Sequence, residues 1–359
     1  MKPSDMQRQG TGLDVSSAPF RPKTEAIARV VTSTESEDAA ENSSDHHTQP
    51  AADTVAVILN WRGQAETIVA AQSCRRTCPE CQVLIVDNES TEKSFNELTT
   101  PFTEDASVHV LPVDENRGFG AGHNVALHWI KDKLPQVRFV YLLNSDAVAS
   151  QGAIQSAVQT LRTKSKFGAV GSILLDWDGD QDAATDHTRV QSAGGRFSPW
   201  LGTTHQYSKS VEDGRIDYVT FAAVALRIDA MFEIGLFDEQ FFMYWEDADV
   251  CLRLQSSGWK LAMCPYSHVF HVGGASGKSA GSSKILSYYV WSSLLFRDRA
   301  RGLWKLSIPL KSLYMMVRGI ILRRRWEVLG VRDGYMLYKQ RSSEPGYVRI
   351  RLDDATRAI

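Results

Sequence analysis

Residues 1 to about 52 show no apolar period, and burial begins abruptly with "TVAVILNW", whose apolar run from Thr54 to Asn60 predicts a buried strand. A helical stretch from about Gln64 to Cys74 follows, and "CQVLIVDNEST" supplies a second strand ending at Asp87. "SVHVLPVDENRGFGAGHNVALHWIKDKL" reads as a short third strand, a glycine-bearing link and a helix with Val125, Ala126, Trp129 and Ile130 on its inner side. "FVYLLNSD" is a fourth strand and "GAIQSAVQTLRT" another helix. Strand and helix alternate with short links. The class is therefore α/β: a Rossmann-like, mostly parallel sheet with helices on both faces and ligands at the carboxyl ends of its strands.

After Gly168 the rhythm breaks. "GAVGSILLD" is a further strand, but the stretch from Trp177 to Asp213 is polar, Gly-rich and irregular. "IDYVTFAAVALR" resumes a strand, and "IDAMFEIGLF" is a short helix leading into "FFMYWEDADVCLRL". In that last segment Val250, Cys251 and Leu254 follow Asp247 at the third, fourth and seventh places, which is one helical face. An aspartate on an apolar stripe is costly unless something uses or pairs it, so Asp247 is a candidate for chemistry. Glu246, Asp249 and Arg253 fall on adjacent, wetter faces, and Asp249 with Arg253, four apart, reads as an intrahelical ion pair.

Polar groups recur at the predicted strand ends: Asn60, then Asp87 and Asn88, then Asn116 with Arg117, Gly118 and Gly120, then Asn144, Ser145 and Asp146. In a parallel sheet such ends converge along one edge. A carboxylate after the second strand can accept from a base N–H or a ribose hydroxyl, and one after the fourth can hold a divalent ion against a diphosphate. Each also has a plain structural use. Asp87 and Asn88 can start a turn or cap the next helix, the glycines can serve tight turns, and Asp146 can cap the helix near Ser150. Their joint occurrence favours the functional use. Arg117 can touch a diphosphate, Asn124 can hydrogen-bond the glycine loop, and Tyr244 and Trp245 can stack on a ring or pack in the core.

Composition changes little until its distribution is followed. The 359 residues suffice for one large domain or two, and the formal charge is only −2. From Arg297 to Arg351, however, there are fourteen Lys/Arg against four Asp/Glu, whereas residues 1–50 carry five against eight. The start of the chain is polar and reads as a disordered tail. It lacks the layout of a secretory signal, and no run of about eighteen uncharged apolar residues exists to span a bilayer, so a cytoplasmic protein is expected. An odd number of cysteines, 5, fits a reducing compartment, and Cys78 and Cys81 are expected to be free thiols. Within the basic region, "RGLWKLSIPLKSLYMMVRGIILRRRW" has broad apolar surface interrupted by Lys305, Lys311 and Arg318, with Pro309 expected to kink or divide the helix. It can dock on the rest of the protein. Alternatively it can lie on the inner face of a membrane, with Arg323 to Arg325 meeting anionic headgroups at about 1 kcal/mol per basic residue.

Taken together, "VILNW", "VDNEST", "NRGFGAGHN", "LLNSD", "FDEQFFMYWEDADVCLRL" and "HVFHVGGAS" resemble the family 2 glycosyltransferases of GT-A fold, especially their rhamnosyltransferase-like branch. The order is consistent from about Thr54 to Ser276. The resemblance implies a tail over 1–52, a GT-A catalytic domain over 53–280, and a basic, mostly helical region over 281–359. It further implies an inverting transfer of a sugar, L-rhamnose, from a nucleotide diphosphate sugar donor to a polysaccharide or lipid-linked oligosaccharide. Asp87 would contact the nucleoside, Asp146 would bind a Mg or Mn ion with His271 as an additional ligand, and Asp247 would be the base. Glu246 and Trp245 would meet the acceptor. The remaining donor-binding set is Asn60, Asn88, Asn116, Arg117, Gly118, Asn124, Asn144 and Ser145. No nucleic-acid partner is implied, and the protein would work in the cytoplasm, peripheral on the inner face of the membrane. Two positions depart from the pattern: Asn144 replaces the first carboxylate of the metal triplet, and Phe221 or Ala222 stands where relatives carry a glycine near the sugar. A sugar-1-phosphate nucleotidyltransferase would share the sheet and the ion but needs no base on a late helix. A catalytically silent sugar-nucleotide-binding module is the third reading, favoured by the "NSD" triplet and opposed by the intact "ED" pair.

Overall fold

The apolar runs of the first half become β1 (Thr54–Asn60), β2 (Gln82–Asn88), β3 (Val108–Val113) and β4 (Phe139–Asn144), all parallel and ordered β3-β2-β1-β4. The computed structural model describes residues 53–177, 189–208, 216–272 and 282–340. The tail over 1–52, the glycines of "HVGGAS" and the basic residues from 341 onward lie outside them. β1, β2 and β4 are buried along nearly their whole length because helices cover both faces. On one face lie α1 (Gln64–Thr77), through Ala70, Ala71 and Cys74, and α4 (Ala153–Thr163), through Ile154, Ala157 and Leu161. α2 (Glu92–Thr99) opens on a reciprocal cap between Thr91 and Ser94. The other face is covered by α3 (Phe119–Lys133), through Ala126, Leu127 and Ile130, with Val125 and Trp129 only half-buried.

The second half extends the same sheet with reversed strands. β10 (Ala223–Arg227) lies antiparallel between β4 and β6 (Phe167–Asp176), and β11 (Lys260–His271) runs parallel to β6. The short β5 (Ala147–Ala149) pairs antiparallel with the end of β11, so that His271 faces Ala147 across the ladder. That register delivers His271 to the residue next to Asp146. The polar stretch after Trp177 is not wholly irregular: β7 (Val190–Ser192) pairs with β6, and β8 (Gly195–Ser198) and β9 (Thr203–Gln206) form a hairpin.

α5 (Ile228–Glu233) precedes the loop to α6 (Glu246–Ser256), and α7 (Ser283–Arg299), α8 (Trp304–Ile321) and α9 (Arg325–Gln340) pack against that loop in a separate core. Pro309 does not divide α8, which runs unbroken through it. The carbonyl that Pro309 leaves unpaired belongs to Lys305, which is exposed and can bond water. Cys78 and Cys81 are not free thiols: a disulfide joins them where α1 ends. The turn there, closed by Cys81 N–H on the Cys78 carbonyl at 2.9 Å, brings the two Cα atoms to 5.4 Å, within disulfide reach. Cys74, Cys251 and Cys264 are free and buried.

Candidate active site

The carboxyl ends of β1, β2 and β4 do align, with Asn60 beside Asp87 and Leu59 beside Asn144. Several of the polar residues there hold one another rather than stand open. Asn60 donates to Asp87 Oδ1 at 2.7 Å, while its own oxygen accepts from Gly63 N–H and Thr67 Oγ1. Asp87 Oδ2 accepts from Ser90 and Ser94, each at 2.6 Å. Both residues are buried, and Asp87 ties β1, β2 and the start of α2 together, so the turn-and-cap use weighed from sequence is present. Asn88 donates to Asn116 Oδ1 at 2.9 Å, and its own Oδ1 is buried without a partner among the described residues.

The glycine loop departs from the expected donor contact. Gly118 has φ +92°, and a Cβ there would collide with the backbone of Phe242, whose carbonyl accepts from Phe119 N–H at 3.0 Å. Gly118 N–H is itself taken by Asn116. The loop is thus closed by a tight backbone approach to the segment leading into α6. Arg117 pairs with Glu239, and Asn124 exchanges hydrogen bonds with the backbone of Phe237 and reaches Glu239 Oε1 at 3.2 Å. Gly118, Arg117 and Asn124 therefore position the loop over 237–242 instead of lining an open phosphate cradle.

A second cluster stands at the end of β4. Asp146 Oδ1 is 3.1 Å from His271 Nε2, Asn144 Nδ2 is 3.3 Å from the same nitrogen, and His271 Nδ1 lies 2.6 Å from Gln191 Oε1. Nδ1 thus faces the Gln191 oxygen, while Nε2 lies between the Asp146 carboxylate and the Asn144 amide N–H. With Nδ1–H on the Gln191 oxygen, the ring would present an Nε2 lone pair able to accept from Asn144 or to bind a metal ion. Burial pushes the Asp146 carboxyl up, but the His271 hydrogen bond and charge outweigh it and hold the group below its ordinary range. Beside Asp146 and Ser145 lies a small cleft, with room for about one water-sized group, walled by Glu66, Val69, Trp177 and Val272. An ionised carboxylate, an imidazole oriented by an amide and adjoining open space fit a divalent cation.

The third cluster opens α6. Tyr244 and Trp245 both have φ +68°, a left-handed pair at a cost of order 1–3 kcal/mol each. Packing imposes this conformation. Trp245 is buried with its ring 5.0 Å from Phe296, 5.8 Å from Tyr289 and 6.1 Å from Trp304. Trp245 is therefore a core residue and not an acceptor platform. Asp247 keeps some solvent contact and accepts from Ala248 N–H at 2.7 Å, yet burial outweighs that bond and pushes its pKa above the ordinary carboxylate range. Glu246 is pushed up further, by burial first and then by the Asp247 charge, and its Oε2 is buried without a hydrogen-bond partner among the described residues. Two adjacent carboxyls in this setting resist ionising together, and burial raises Glu246 further than Asp247.

Asp249 does not lie on a wet face. It is fully buried, bonded to Arg253 Nε at 2.8 Å as the spacing predicts, and also to Arg299 of α7 at 2.5 Å. Burial still pushes its pKa up, against the Arg253 guanidinium. Gln191, Glu239 and Arg299 are the site residues that sequence reasoning missed. Glu239 lay inside a quoted motif and its charge opposes Arg117; Gln191 and Arg299 have no pattern to mark them.

Residues 51–288 match the family model described as glycosyltransferase-like family 2. The chain is 24% identical over 309 residues, 78% of its length and 97% of the relative's, to N-acetylglucosaminyl-diphospho-decaprenol L-rhamnosyltransferase of Mycobacterium tuberculosis (strain CDC 1551 / Oshkosh). It is 24% identical over 191 residues, 51% of its length and 71% of the relative's, to rhamnosyltransferase WbbL of Escherichia coli (strain K12). Among solved structures, GalNAc-T7 with UDP, GalNAc and Mn2+ aligns with TM-score 0.56 at 15% identity, covering 82% of this chain and 57% of that one. The mannosyltransferase PcManGT of Pyrobaculum calidifontis, in complex with GDP-Man and Mn2+, aligns with TM-score 0.51 at 11% identity over 90% and 83% of the two chains. With acid pair, carboxylate–imidazole cluster and strand-end edge in place on a GT-A fold, the chain belongs to glycosyltransferase-like family 2 and is an enzyme that transfers a sugar from a nucleotide sugar.

Proposed function

We propose that the enzyme transfers L-rhamnose, with inversion, from a nucleotide diphosphate sugar to a lipid-linked oligosaccharide or polysaccharide at the inner face of the cytoplasmic membrane. The carrying observation is the acid pair at the start of α6, where burial keeps Glu246 protonated and leaves Asp247 a stronger base than an exposed carboxylate. In a single displacement Asp247 takes the proton of the acceptor hydroxyl as that oxygen attacks the anomeric carbon. Glu246, as the protonated partner, donates a hydrogen bond to the acceptor. Asp146 and His271 would hold a Mg or Mn ion, with Asn144 and Ser145 beside it, and the ion would offset the charge of the departing diphosphate. Asn88 has a buried acceptor to offer the nucleoside, and Asp87 with Asn60 fixes the strand end from which it projects.

The relatives' names support the donor and the acceptor class, since both are rhamnosyltransferases and one acts on a diphospho-decaprenol. The titles of both solved structures include Mn2+, which supports the cation. On this reading residues 53–280 perform the chemistry and 281–359 bring the site to its acceptor. A nucleotidyltransferase would have no use for a base on α6, and a silent binding module no use for the raised acid pair.

Thermal shift across a panel of nucleotide sugars with Mn present is the direct test. dTDP-rhamnose is expected to stabilise most, and no response to any nucleotide diphosphate would overturn the proposal. Asp146→Ala should weaken metal-dependent donor binding by at least about tenfold, the low end of what even an outer partner of a metal ligand costs. His271→Ala should show a milder form of the defect. Full activity of the wild type in EDTA would remove the ion from the reaction.

The pH profile tests the base. Asp247 must be ionised to accept a proton, and its pKa is raised, so kcat/KM should fall with decreasing pH through a value above the ordinary aspartate pKa of about 4. A limb at or below that value would mean the base sits elsewhere.

A further inference from the structure

α8 is apolar on both sides. Its inner face places Trp304, Ile308, Ser312 and Met315 against the protein. Its outer face presents Leu306, Leu310, Leu313, Val317 and Ile320, alternately four and three residues apart, all exposed. Ile321 and Leu322 prolong the row, at 71% and 51% exposure. A solvent-facing helix would carry charge there. No helix among the described residues is long and apolar enough to cross a membrane, so this face is suited to lying on one.

A second element joins it. In the turn between β8 and β9, Trp200 is 79% and Leu201 67% exposed. The next residue, Gly202, sits so close to α8 that an added Cβ would be 2.8 Å from the Ser307 carbonyl. The hairpin tip therefore stands directly beside the helix. Its base is rigid: Phe197 stacks on Tyr218 at 5.8 Å and meets Trp304 at 5.9 Å. A tryptophan at the rim of an apolar face is suited to the headgroup level of a bilayer.

We infer that α8 and the β8–β9 tip form one surface that inserts into an anionic lipid leaflet. Charge selects that occupant. Between Arg301 and Arg325 there are seven Lys/Arg and no acidic residue, and Arg323, Arg324 and Arg325 lie exposed together where α8 ends. Glu327 pairs with Arg318 and Arg324, yet a net positive excess remains, which a second copy of this chain would set against itself and phosphate-bearing headgroups complement. The inference rests on the proposed lipid-linked acceptor only for its purpose. Lipid binding is read without donor or acceptor, so its failure and the failure of the sugar-transfer reading are separate results.

The test is flotation of the full chain with phosphatidylcholine vesicles, with and without one-third phosphatidylglycerol, at low and high salt. Binding should be at least tenfold stronger to the anionic vesicles and should weaken with salt. Two variants made at exposed positions, and checked by thermal melting, separate the elements. Leu310→Ser/Leu313→Ser/Ile320→Ser and Trp200→Ala/Leu201→Ser should each retain the wild-type melting temperature and lose about tenfold or more in partitioning. Absence of flotation with anionic vesicles would overturn the inference, and so would undiminished binding of the helix variant. A vesicle-free dimer at micromolar concentration, abolished by the same helix changes, would assign the face to a second copy instead. Undiminished binding of the Trp200 variant would remove the hairpin from the surface.

Discussion

Turnover of Asp247→Asn is expected to fall by about two to four orders of magnitude, with donor affinity nearly unchanged. The amide keeps the shape of the carboxyl, and its oxygen can still accept from Ala248 N–H, so the first turn of α6 should survive. What the amide cannot do is take a proton from the acceptor. The loss should be large because burial makes Asp247 more basic than a surface aspartate, and no neighbour replaces it: Glu246 is pushed up further still and holds its proton. Single-turnover assays with saturating donor read the step directly. Turnover like the wild type's would remove Asp247 from the reaction. Glu246→Gln offers the contrast, since an amide still donates a hydrogen bond; it should raise the acceptor KM more than it lowers kcat.

The strands, the helices of the first half and the convergence of Asn60, Asp87 and Asn144 at one edge were legible because each rests on local patterning: apolar runs of strand length, and polar residues where they stop. The Asp249–Arg253 pair was legible for the same reason, four residues being one helical step. Contacts set by tertiary packing were not. Nothing in "YWED" says whether Trp245 meets a sugar or three aromatic rings from α7 and α8. The Asp249 carboxylate looks solvated on a helical wheel but is buried, bonded by Arg253 and by Arg299 fifty residues on. The glycine loop misled in the same way. Glycine permits a phosphate or a carbonyl to approach equally, and here the Phe242 backbone occupies the space. Asp146 and His271 were named together as ligands of one ion on resemblance, but the β5–β11 register and Gln191 that bring them together lie in the part of the chain with the weakest pattern.

Asp249→Ala should destabilise the fold by about 3–5 kcal/mol, the usual cost of removing one partner from a buried ion pair. The carboxylate satisfies two guanidinium groups at once. Without it Arg253 retains the Ile234 and Leu236 carbonyls, at 2.8 and 2.7 Å, but Arg299 keeps as its ion partner among the described residues only Asp238, beside the Phe241 ring. Arg299 then lies where burial already disfavours its charge. Asp249→Asn should cost less, because the amide oxygen still accepts from one guanidinium. Urea unfolding measures both: the midpoint should fall in the order wild type, Asn, Ala at a nearly constant slope. The damage should also reach the chemistry, since the segment held by Arg253 and Arg299 leads through Phe237, Glu239 and Phe242 to the acid pair. Turnover of the Ala variant should therefore drop even at temperatures where it remains folded. An unfolding midpoint equal to that of the wild type would mean that Asp249 contributes nothing net, its desolvation cancelling the two ion pairs.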